Sequence, residues 1–202
     1  MGHAGMAATT IRYLRSTGAL PAAEPVEALP RPDLRAVGED ERGPLDPAEF
    51  RRVLGHFASS VTVITATTRD GSPAGFACQS FASLSLDPPL VAFMVARTST
   101  TWPKIAEAGS FCVNILGAHQ GELCRGFAVS GADKFAGVAY DAAPVSGAPR
   151  LDGAPAWLDC TIHAVHTGGD HLIVVGRVNA LDATQDGDPL LFHQGRFGQF
   201  VR

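Results

Sequence analysis

The order of apolar and polar residues predicts one helix at the start of the folded part of the chain. The segment Asp46-Pro47-Ala48-Glu49 is typical of a helix start, because Asp caps free N–H groups, Pro suits the first helical position and Glu can complete a capping box. One apolar face follows at helical spacing, formed by Phe50, Val53, Leu54 and Phe57. This spacing predicts an amphipathic helix.

Beyond that helix the pattern alternates with a period of two, which indicates β-strands. Asp70-Gly71 lies between two such runs and predicts a hairpin turn, and Gly168-Gly169-Asp170 predicts another. The second predicted strand lies within residues 75–90 and stops at Asp87-Pro88-Pro89. The other predicted strands cover residues 60–67, 90–96, 110–116, 156–166, 171–181, 190–192 and 196–201. Short helices are predicted over residues 101–109 and 119–129. Many short strands and few helices predict a mainly β domain that forms a closed or nearly closed barrel.

The first 44 residues differ from the rest of the chain. They contain five prolines among scattered Ala, Glu and Arg, and they show no sustained apolar period. Such a segment buries too little apolar surface to order itself. We therefore predict a flexible N-terminal extension over residues 1–44 and one folded domain over residues 45–202.

Composition and charge narrow the functional classes. The chain has 202 residues, is 46% hydrophobic and carries a formal net charge of −4, without the stripe of Lys and Arg that binding to nucleic acid needs. The longest apolar run, residues 90–96, is too short to cross a membrane, and no signal peptide is recognisable. None of the four cysteines forms a Cys-x-x-Cys pair, so we predict no structural zinc, reduced thiols and a cytoplasmic location.

Several common reaction motifs are missing from the sequence. It contains no Gly-x-Gly-x-x-Gly after a strand, no phosphate-binding lysine loop and no Gly-x-Ser-x-Gly elbow. His163 and His166 are three residues apart on a predicted strand, so their side chains point to opposite faces and make a poor metal pair. We predict no metal site.

The segment GFACQSFASLSLDPPL, residues 75–90, is built from small side chains, hydroxyls and an amide. Such residues let a ligand approach the strand backbone and add hydrogen bonds, although tight sheet packing would explain them equally. Residues 96–101, Ala-Arg-Thr-Ser-Thr-Thr, put a cation and four hydroxyls before a helix, which suits an anion or simple N-capping. Together the two segments favour a cofactor that carries a phosphate.

The stretch GFACQSFASLSLDPPLVAFMVARTSTTW resembles the signature of the flavin reductase family, which has the FMN-binding split-barrel fold. Three further segments agree in order along residues 49–200: EFRRVLGHFASSVTVITA, GGDHLIVVGRV and PLLFHQGRFGQF. The resemblance implies a mainly β split barrel with short helices that forms a homodimer. It also implies hydride transfer from NADH or NADPH to FMN or FAD, with reduced flavin passing to a separate monooxygenase.

The resemblance also implies a set of site residues. Flavin contacts would come from Ala77, Cys78, Gln79 and Ser80, with Ser83 and Ser85 nearby, from Arg97, Ser99 and Thr100 at the phosphate, and from Lys134 and Phe135. His171 would be the catalytic residue beside the nicotinamide, and Arg196 and Phe197 would cover the second ring. On residue type alone, His171 also suits a plain turn, Cys78 a small buried apolar position, and Lys134 a solvated surface.

Two alternatives to a diffusible-flavin reductase stay open. One is a flavoprotein that retains its flavin and reduces another acceptor, and the other is a non-catalytic module that binds flavin or heme. The chain also departs from the family pattern. Gln79 replaces a smaller polar residue, Phe192 and Phe197 replace tyrosines, and His193-Gln194 replaces a more basic pair.

Overall fold

The computed structural model describes residues 45–129, 131, 133–184 and 187–200. The predicted N-terminal extension and the last residue of the final predicted strand lie outside the described residues. The helices are α1 (Pro47–Leu54), α2 (Trp102–Ala108) and α3 (Gly121–Ala128), with one 3-10 turn at Ala118–Gln120. The strands are β1 (Ser59–Ser60), β2 (Thr62–Thr67), β3 (Pro73–Cys78), β4 (Phe81–Leu86), β5 (Pro89–Ala96), β6 (Ser110–Ile115), β7 (Tyr140–Ala142), β8 (Pro149–Leu151), β9 (Ala156–Gly168), β10 (His171–Ala183), β11 (Leu191–His193) and β12 (Arg196–Gly198).

Seven strands form one antiparallel sheet in the order β3-β2-β6-β9-β10-β5-β4. The single return strand predicted within residues 75–90 is wrong, because the chain leaves β3 at Cys78 and resumes as β4 at Phe81. These two consecutive strands lie at opposite edges of the sheet, so the sheet curls until its edges meet at the corner Gln79-Ser80. The backbone N–H of Met94 in β5 donates to the Ser80 carbonyl at 3.2 Å and holds that corner in place.

The inside of the curled sheet is filled by aromatic side chains. Phe93 of β5 is fully buried and meets Phe111 of β6 at 5.2 Å and Trp102 of α2 at 6.1 Å between ring centroids. Both contacts are edge-on, the arrangement that aromatic quadrupoles prefer. The buried residues of β5 alternate, at Val91, Phe93 and Val95, whereas Met94 is 43% exposed, so this packing explains every second residue of the apolar 90–96 run. It also fixes the end of β5 relative to the start of α2.

The start of α1 is partly as predicted. Asp46 caps the helix by accepting from the Ala48 N–H at 2.9 Å. The capping box is wrong, because the Glu49 carboxylate pairs with Arg52 one turn along the helix, at 2.6 Å. Hydrogen bonding to Arg52 lowers the pKa of Glu49.

The predicted apolar face of α1 does not pack on the core of this chain. The side chains of Phe50, Val53, Leu54 and Phe57 are 53%, 52%, 54% and 80% exposed. We call these four residues the α1 apolar face. The periodicity correctly predicted an amphipathic helix, but it could not tell which surface the helix covers.

Candidate functional site

A cavity of about 1120 Å³ opens beside the corner Gln79-Ser80. Five parts of the chain form most of its wall: the end of β3 with the corner, the end of β5 with the loop to α2, helix α3 with the turn after it, the first residue of β10, and the β11–β12 hairpin. Pockets for one drug-sized ligand measure roughly 300–1,000 Å³. The cavity is therefore large enough to hold more than one ring system.

Small side chains at the corner serve the backbone as well as the cavity. The Ser80 hydroxyl donates to the Met94 carbonyl at 2.9 Å, and the Thr62 hydroxyl donates to the Cys78 carbonyl at 2.8 Å. Burial raises the pKa of the Cys78 thiol, which is 5% exposed and lies 3.5 Å from the Ser80 hydroxyl. Cys78 is therefore a neutral thiol in the wall, and Ala77 beside it leaves the backbone open to a ligand.

The loop between β5 and α2 presents hydroxyls to the cavity. Its wall residues are Thr98, Ser99, Thr100 and Thr101. The Ser99 hydroxyl accepts from the Trp102 N–H at 3.1 Å and so satisfies a free N–H at the helix start, whereas the N-cap residue Thr101 makes no capping bond with its side chain. The Arg97 side chain is exposed and does not line the cavity, whereas its backbone N–H donates to the Asp170 carbonyl at 3.0 Å.

The charge of the cavity wall is uniformly positive. Arg125, Lys134 and Arg196 line it, and no Asp or Glu among the described residues does so. The chain as a whole carries a net charge of −4, so the charge of the cavity wall is opposite in sign to that of the chain. Uniform positive charge in a concave site favours an anionic ligand.

Lys134 is held by backbone carbonyls rather than by a carboxylate. Its ammonium group donates to the Phe127 carbonyl at 3.0 Å and to the Gly75 carbonyl at 3.3 Å. Desolvation lowers the pKa of Lys134. An ammonium group has three N–H donors, so one remains for a ligand in the cavity.

His171 begins β10 and pairs with Ala96 at the end of β5, which brings its ring to the cavity. Its Nδ1 lies 2.7 Å from the Asp170 carboxylate. Hydrogen bonding and charge from His171 lower the pKa of Asp170. This contact restrains the imidazole ring and leaves its other nitrogen available to a ligand.

Aromatic rings form the remaining side of the cavity. Phe192 and Phe197 face each other edge-on across the β11–β12 hairpin, with ring centroids 5.6 Å apart. The guanidinium carbon of Arg125 lies 5.2 Å from the centre of the Phe197 ring, within the range of a cation–π contact. Sequence reasoning missed Arg125, whose only local signal was an exposed position beside the apolar face of a predicted helix.

The structure brings ten of the fourteen predicted site residues to one wall: Ala77, Cys78, Gln79, Ser80, Ser99, Thr100, Lys134, His171, Arg196 and Phe197. Four do not line it: Ser83, Ser85, Arg97 and Phe135. Ser83 and Ser85 lie on β4, on either side of a break in its register with β5, beyond the corner. The Phe135 ring instead packs edge-on against Phe127, 5.0 Å away, and so supports the wall from behind.

A second groove of about 820 Å³ adjoins the cavity and shares Gln79, Phe192 and Gly195 with it. Its other side is formed by three residues of the α1 apolar face, Phe50, Leu54 and Phe57, together with neighbouring residues of the 51–56 segment. Gln194, between the two, has a φ of 48°, and its amide nitrogen lies 3.0 Å from the ring of His56. The cavity therefore opens toward an exposed apolar surface.

No helix among the described residues has the length and hydrophobicity to cross a bilayer.

Comparison with known proteins finds relatives that span the folded domain. The family model described as "Flavin reductase like domain" matches residues 54–200. A flavin reductase from Pseudomonas putida is 44% identical over 167 residues, covering 83% of this chain and 98% of the relative. The reductase subunit of a flavin-dependent monooxygenase from Rhodococcus jostii is 48% identical, covering 76% of this chain and 77% of the relative. The structure of an NADH:FAD oxidoreductase from Streptomyces globisporus, in complex with NAD and FAD fragments, matches with a TM-score of 0.74 and 36% identity, covering 77% of this chain and 93% of that chain.

Proposed function

This chain belongs to the flavin reductase-like domain family, and from that premise we propose that it transfers a hydride from NADH or NADPH to FMN or FAD. The observation that carries the proposal is the large cavity whose charged wall residues are cations. Flavin nucleotides and nicotinamide dinucleotides both combine a flat ring with phosphate. A cavity with an open backbone corner, aromatic rings and cations suits both ligands.

The described residues fit a flavin at the corner. The backbone of Ala77-Cys78-Gln79-Ser80 is accessible because its side chains are mostly small, and a flavin ring needs such close approach. We propose that the hydroxyls of Ser99 and Thr100 donate hydrogen bonds to the sugar-alcohol side chain of the flavin. We propose that the ammonium group of Lys134 pairs with the flavin phosphate. Because the Arg97 side chain lies off the wall, Lys134 is the better candidate for that charge.

Hydride transfer is the chemistry that nicotinamide and flavin supply when they are bound. The protein therefore needs to bind, orient and shield, and the wall contains the groups for each task. We propose that His171 donates a hydrogen bond that orients the nicotinamide, while Arg196 and Phe197 cover it from the hairpin side. Orientation matters because misplacement by about 1 Å can cost on the order of a hundredfold in rate.

We propose that the protein is a homodimer in which the α1 apolar face meets a second copy of the chain. Four apolar side chains, each more than half exposed, form that face. Contiguous exposed apolar patches in a soluble domain mark interaction surfaces. The face adjoins the cavity, so a second copy would narrow the cavity mouth and exclude water.

We propose that reduced flavin passes to a partner monooxygenase, because the Rhodococcus relative is the reductase subunit of a flavin-dependent monooxygenase. We propose a cytoplasmic location as well. All four cysteines are free and buried, which suits a compartment that keeps thiols reduced. Residues 1–44 precede the matched segment, and we propose that they are an extension outside the folded domain.

The test is an assay of the purified full-length protein with NADH or NADPH and added FMN, FAD or riboflavin. We expect a colourless protein after desalting that oxidises NADH only when flavin is added, with free reduced flavin detected by its reduction of cytochrome c. Retention of a yellow flavin through desalting would favour a flavoprotein with another acceptor. No oxidation with any flavin would favour a non-catalytic binding module and overturn the proposal.

A further inference from the structure

Arg125 is the cavity cation to which neither the sequence pattern nor the comparisons assign a role. Its side chain is 61% exposed and makes an ion pair with Glu122, one turn earlier in α3. Its guanidinium carbon also lies 5.2 Å from the centre of the Phe197 ring. These two contacts hold a planar cation beside an aromatic ring on the cavity wall.

The three wall cations differ in how deeply they are placed. Lys134 is half-buried and donates to two carbonyls, whereas Arg125 and Arg196 are exposed. A dinucleotide that stacks on a flavin already bound at the corner lies farther from the corner and nearer to the exposed groups of the wall. The exposed arginines are therefore better placed than the half-buried Lys134 to bind the dinucleotide.

The chemistry of the guanidinium group points to the phosphates of that ligand. Arg presents N–H donors in a planar fork that matches phosphate oxygens in a bidentate contact. When the face of the group lies on an aromatic ring, its N–H edges stay free for hydrogen bonds. A nicotinamide dinucleotide carries a pyrophosphate between its two nucleosides, and that pyrophosphate is anionic.

We propose that Arg125 binds the pyrophosphate of the nicotinamide dinucleotide and sets the affinity for this co-substrate, with Phe197 as the surface that positions its guanidinium. Glu122 is then a competing anion, which the ligand displaces from Arg125. This inference rests on the proposed flavin reductase function. It assigns Arg125 to the dinucleotide and not to the flavin.

The first test replaces Arg125 by Ala and measures reduction of FMN by NADH. We expect the KM for NADH to rise about five- to twentyfold, the lower part of the range for a charge-assisted bond, because water and salt screen an exposed group. The kcat at saturating NADH and the Kd for FMN should stay within about twofold, since one contact on one substrate is lost. Arg125→Lys keeps the charge but loses the planar pair of N–H donors. Its KM for NADH should lie between those of the unchanged protein and Arg125→Ala.

A reductant without phosphate separates binding from packing. N-benzyl-dihydronicotinamide has the reactive ring but no pyrophosphate, so its KM should be the same for Arg125→Ala and the unchanged protein. If its KM rises as much as that of NADH, Arg125 acts only by holding Phe197, and the proposal is overturned.

Glu122→Gln should change the KM for NADH in the opposite direction. Removing the competing carboxylate should lower the KM for NADH, by about two- to fivefold at low salt, and high salt should reduce the difference. Arg69→Ala is the matched control. Arg69 forms a surface ion pair with Glu107, with 3.5 Å between the charged groups, and neither residue lines the cavity. That control should leave every constant unchanged.

Calorimetric titration of NAD⁺ into flavin-loaded protein gives a readout that does not depend on turnover. Arg125→Ala should raise the Kd for NAD⁺ by the same factor as the KM for NADH. Equal affinities in the two proteins would overturn the proposal even if KM changes. Failure of the proposed function would look different, because the unchanged protein would then not oxidise NADH with any flavin.

Discussion

At the scale of single residues, the cavity wall is built from side chains that already serve the fold. Ser80 bonds the corner to β5, Ser99 accepts from the first N–H of α2, and Lys134 bridges the carbonyls of Gly75 and Phe127. Each of these groups keeps some hydrogen-bonding capacity for a ligand. Ligand contacts made by groups that the fold holds in place lose little entropy on binding.

Replacement of Lys134 by Met tests which cation binds the flavin phosphate. Met keeps most of the apolar stem and removes the charge, so FMN should bind about ten- to a hundredfold more weakly, the effect of losing a charge-assisted bond worth roughly 1.5–3 kcal/mol. Riboflavin has no phosphate and should be nearly unaffected. Arg97→Ala is the matched comparison, and we expect less than about a threefold change in FMN affinity, since Arg97 lies off the wall. Fluorescence titration with FMN and with riboflavin measures the flavin affinities of both variants.

The pH dependence of FMN binding follows from the same group. Desolvation lowers the pKa of Lys134 from its ordinary value of 10.5, so the free protein loses this charge at a lower pH than an exposed lysine would. Only the protonated form makes the charge-assisted bond, so FMN affinity should fall as pH rises through that lowered pKa. The Lys134→Arg variant should keep its affinity over the same range, and an identical decline in that variant would contradict this assignment.

His171→Ala should affect the nicotinamide and spare the flavin. The imidazole is held by Asp170 at 2.7 Å on the cavity wall, and we propose that it orients the nicotinamide ring. Its loss should raise the KM for NADH or slow the reduction of bound FMN, by about tenfold or more, because orientation errors are costly. Stopped-flow reduction and an independent FMN titration separate the two effects. A tenfold loss of FMN affinity with unchanged reduction would place His171 in the flavin site instead.

At the scale of elements, long-range polar contacts decide where short strands form. The β7–β8 hairpin, absent from the sequence prediction, is held by the fully buried Asn114, whose amide donates to the Pro149 carbonyl at 3.3 Å and accepts from the Leu151 N–H at 2.7 Å. Buried Asp159 accepts from two N–H groups of the hairpin loop. Strands of three residues carry almost no periodic signal, so such contacts locate them.

Two glycines test how tightly the elements pack. A Cβ at Gly176 in β10 would lie 2.4 Å from the Phe111 ring, which is fully buried against Phe93 and has no room to move. Gly176→Ala should therefore destabilise the protein by roughly 1–3 kcal/mol. A Cβ at Gly126 in α3 would meet nothing within 4 Å, so Gly126→Ala should stabilise it by about 0.5–1 kcal/mol. Urea unfolding of both variants measures the two changes, and equal effects would contradict this packing.

At the scale of the whole molecule, the sheet curls into the split barrel of the flavin reductases, as its similarity to that family confirms. Closure at the corner Gln79-Ser80 creates the cavity beside it, and α1 lies next to both without burying its own apolar face. The molecule thus places an exposed apolar surface beside its candidate active site. That arrangement fits a site that a second copy of the chain completes.

The double substitution Phe50→Ser and Phe57→Ser tests the proposed dimer. Burying one Phe side chain contributes roughly 1.5–3 kcal/mol, so a symmetric interface would lose four such contributions. We expect a dimer for the unchanged protein and a monomer for the variant, by light scattering coupled to size exclusion, with weaker flavin binding in the monomer. Val145→Ser, at another exposed apolar side chain, should leave the dimer intact. A monomeric unchanged protein would contradict the proposal.

The sequence by itself determined most of the local structure and the function. The Asp46 cap, the helix end at Gly109, the turn at Gly71, the long β9–β10 hairpin and the mainly β class depend on residues close together in the chain, and each was predicted correctly. The flavin reductase family and its NAD(P)H-dependent activity also followed from four motifs in order, and the comparisons confirm both.

Only the tertiary structure decided which residues share the cavity. The corner joins Ser80 to Met94, and the Arg125–Phe197 contact joins residues far apart in the chain, so no local pattern could show either. Ser83 and Ser85 follow the corner on β4 and lie off the wall, and close ring packing holds Phe135 behind it. Periodicity specifies how a side chain faces within its own element, whereas a cavity depends on how several elements meet, and packing alone sets that.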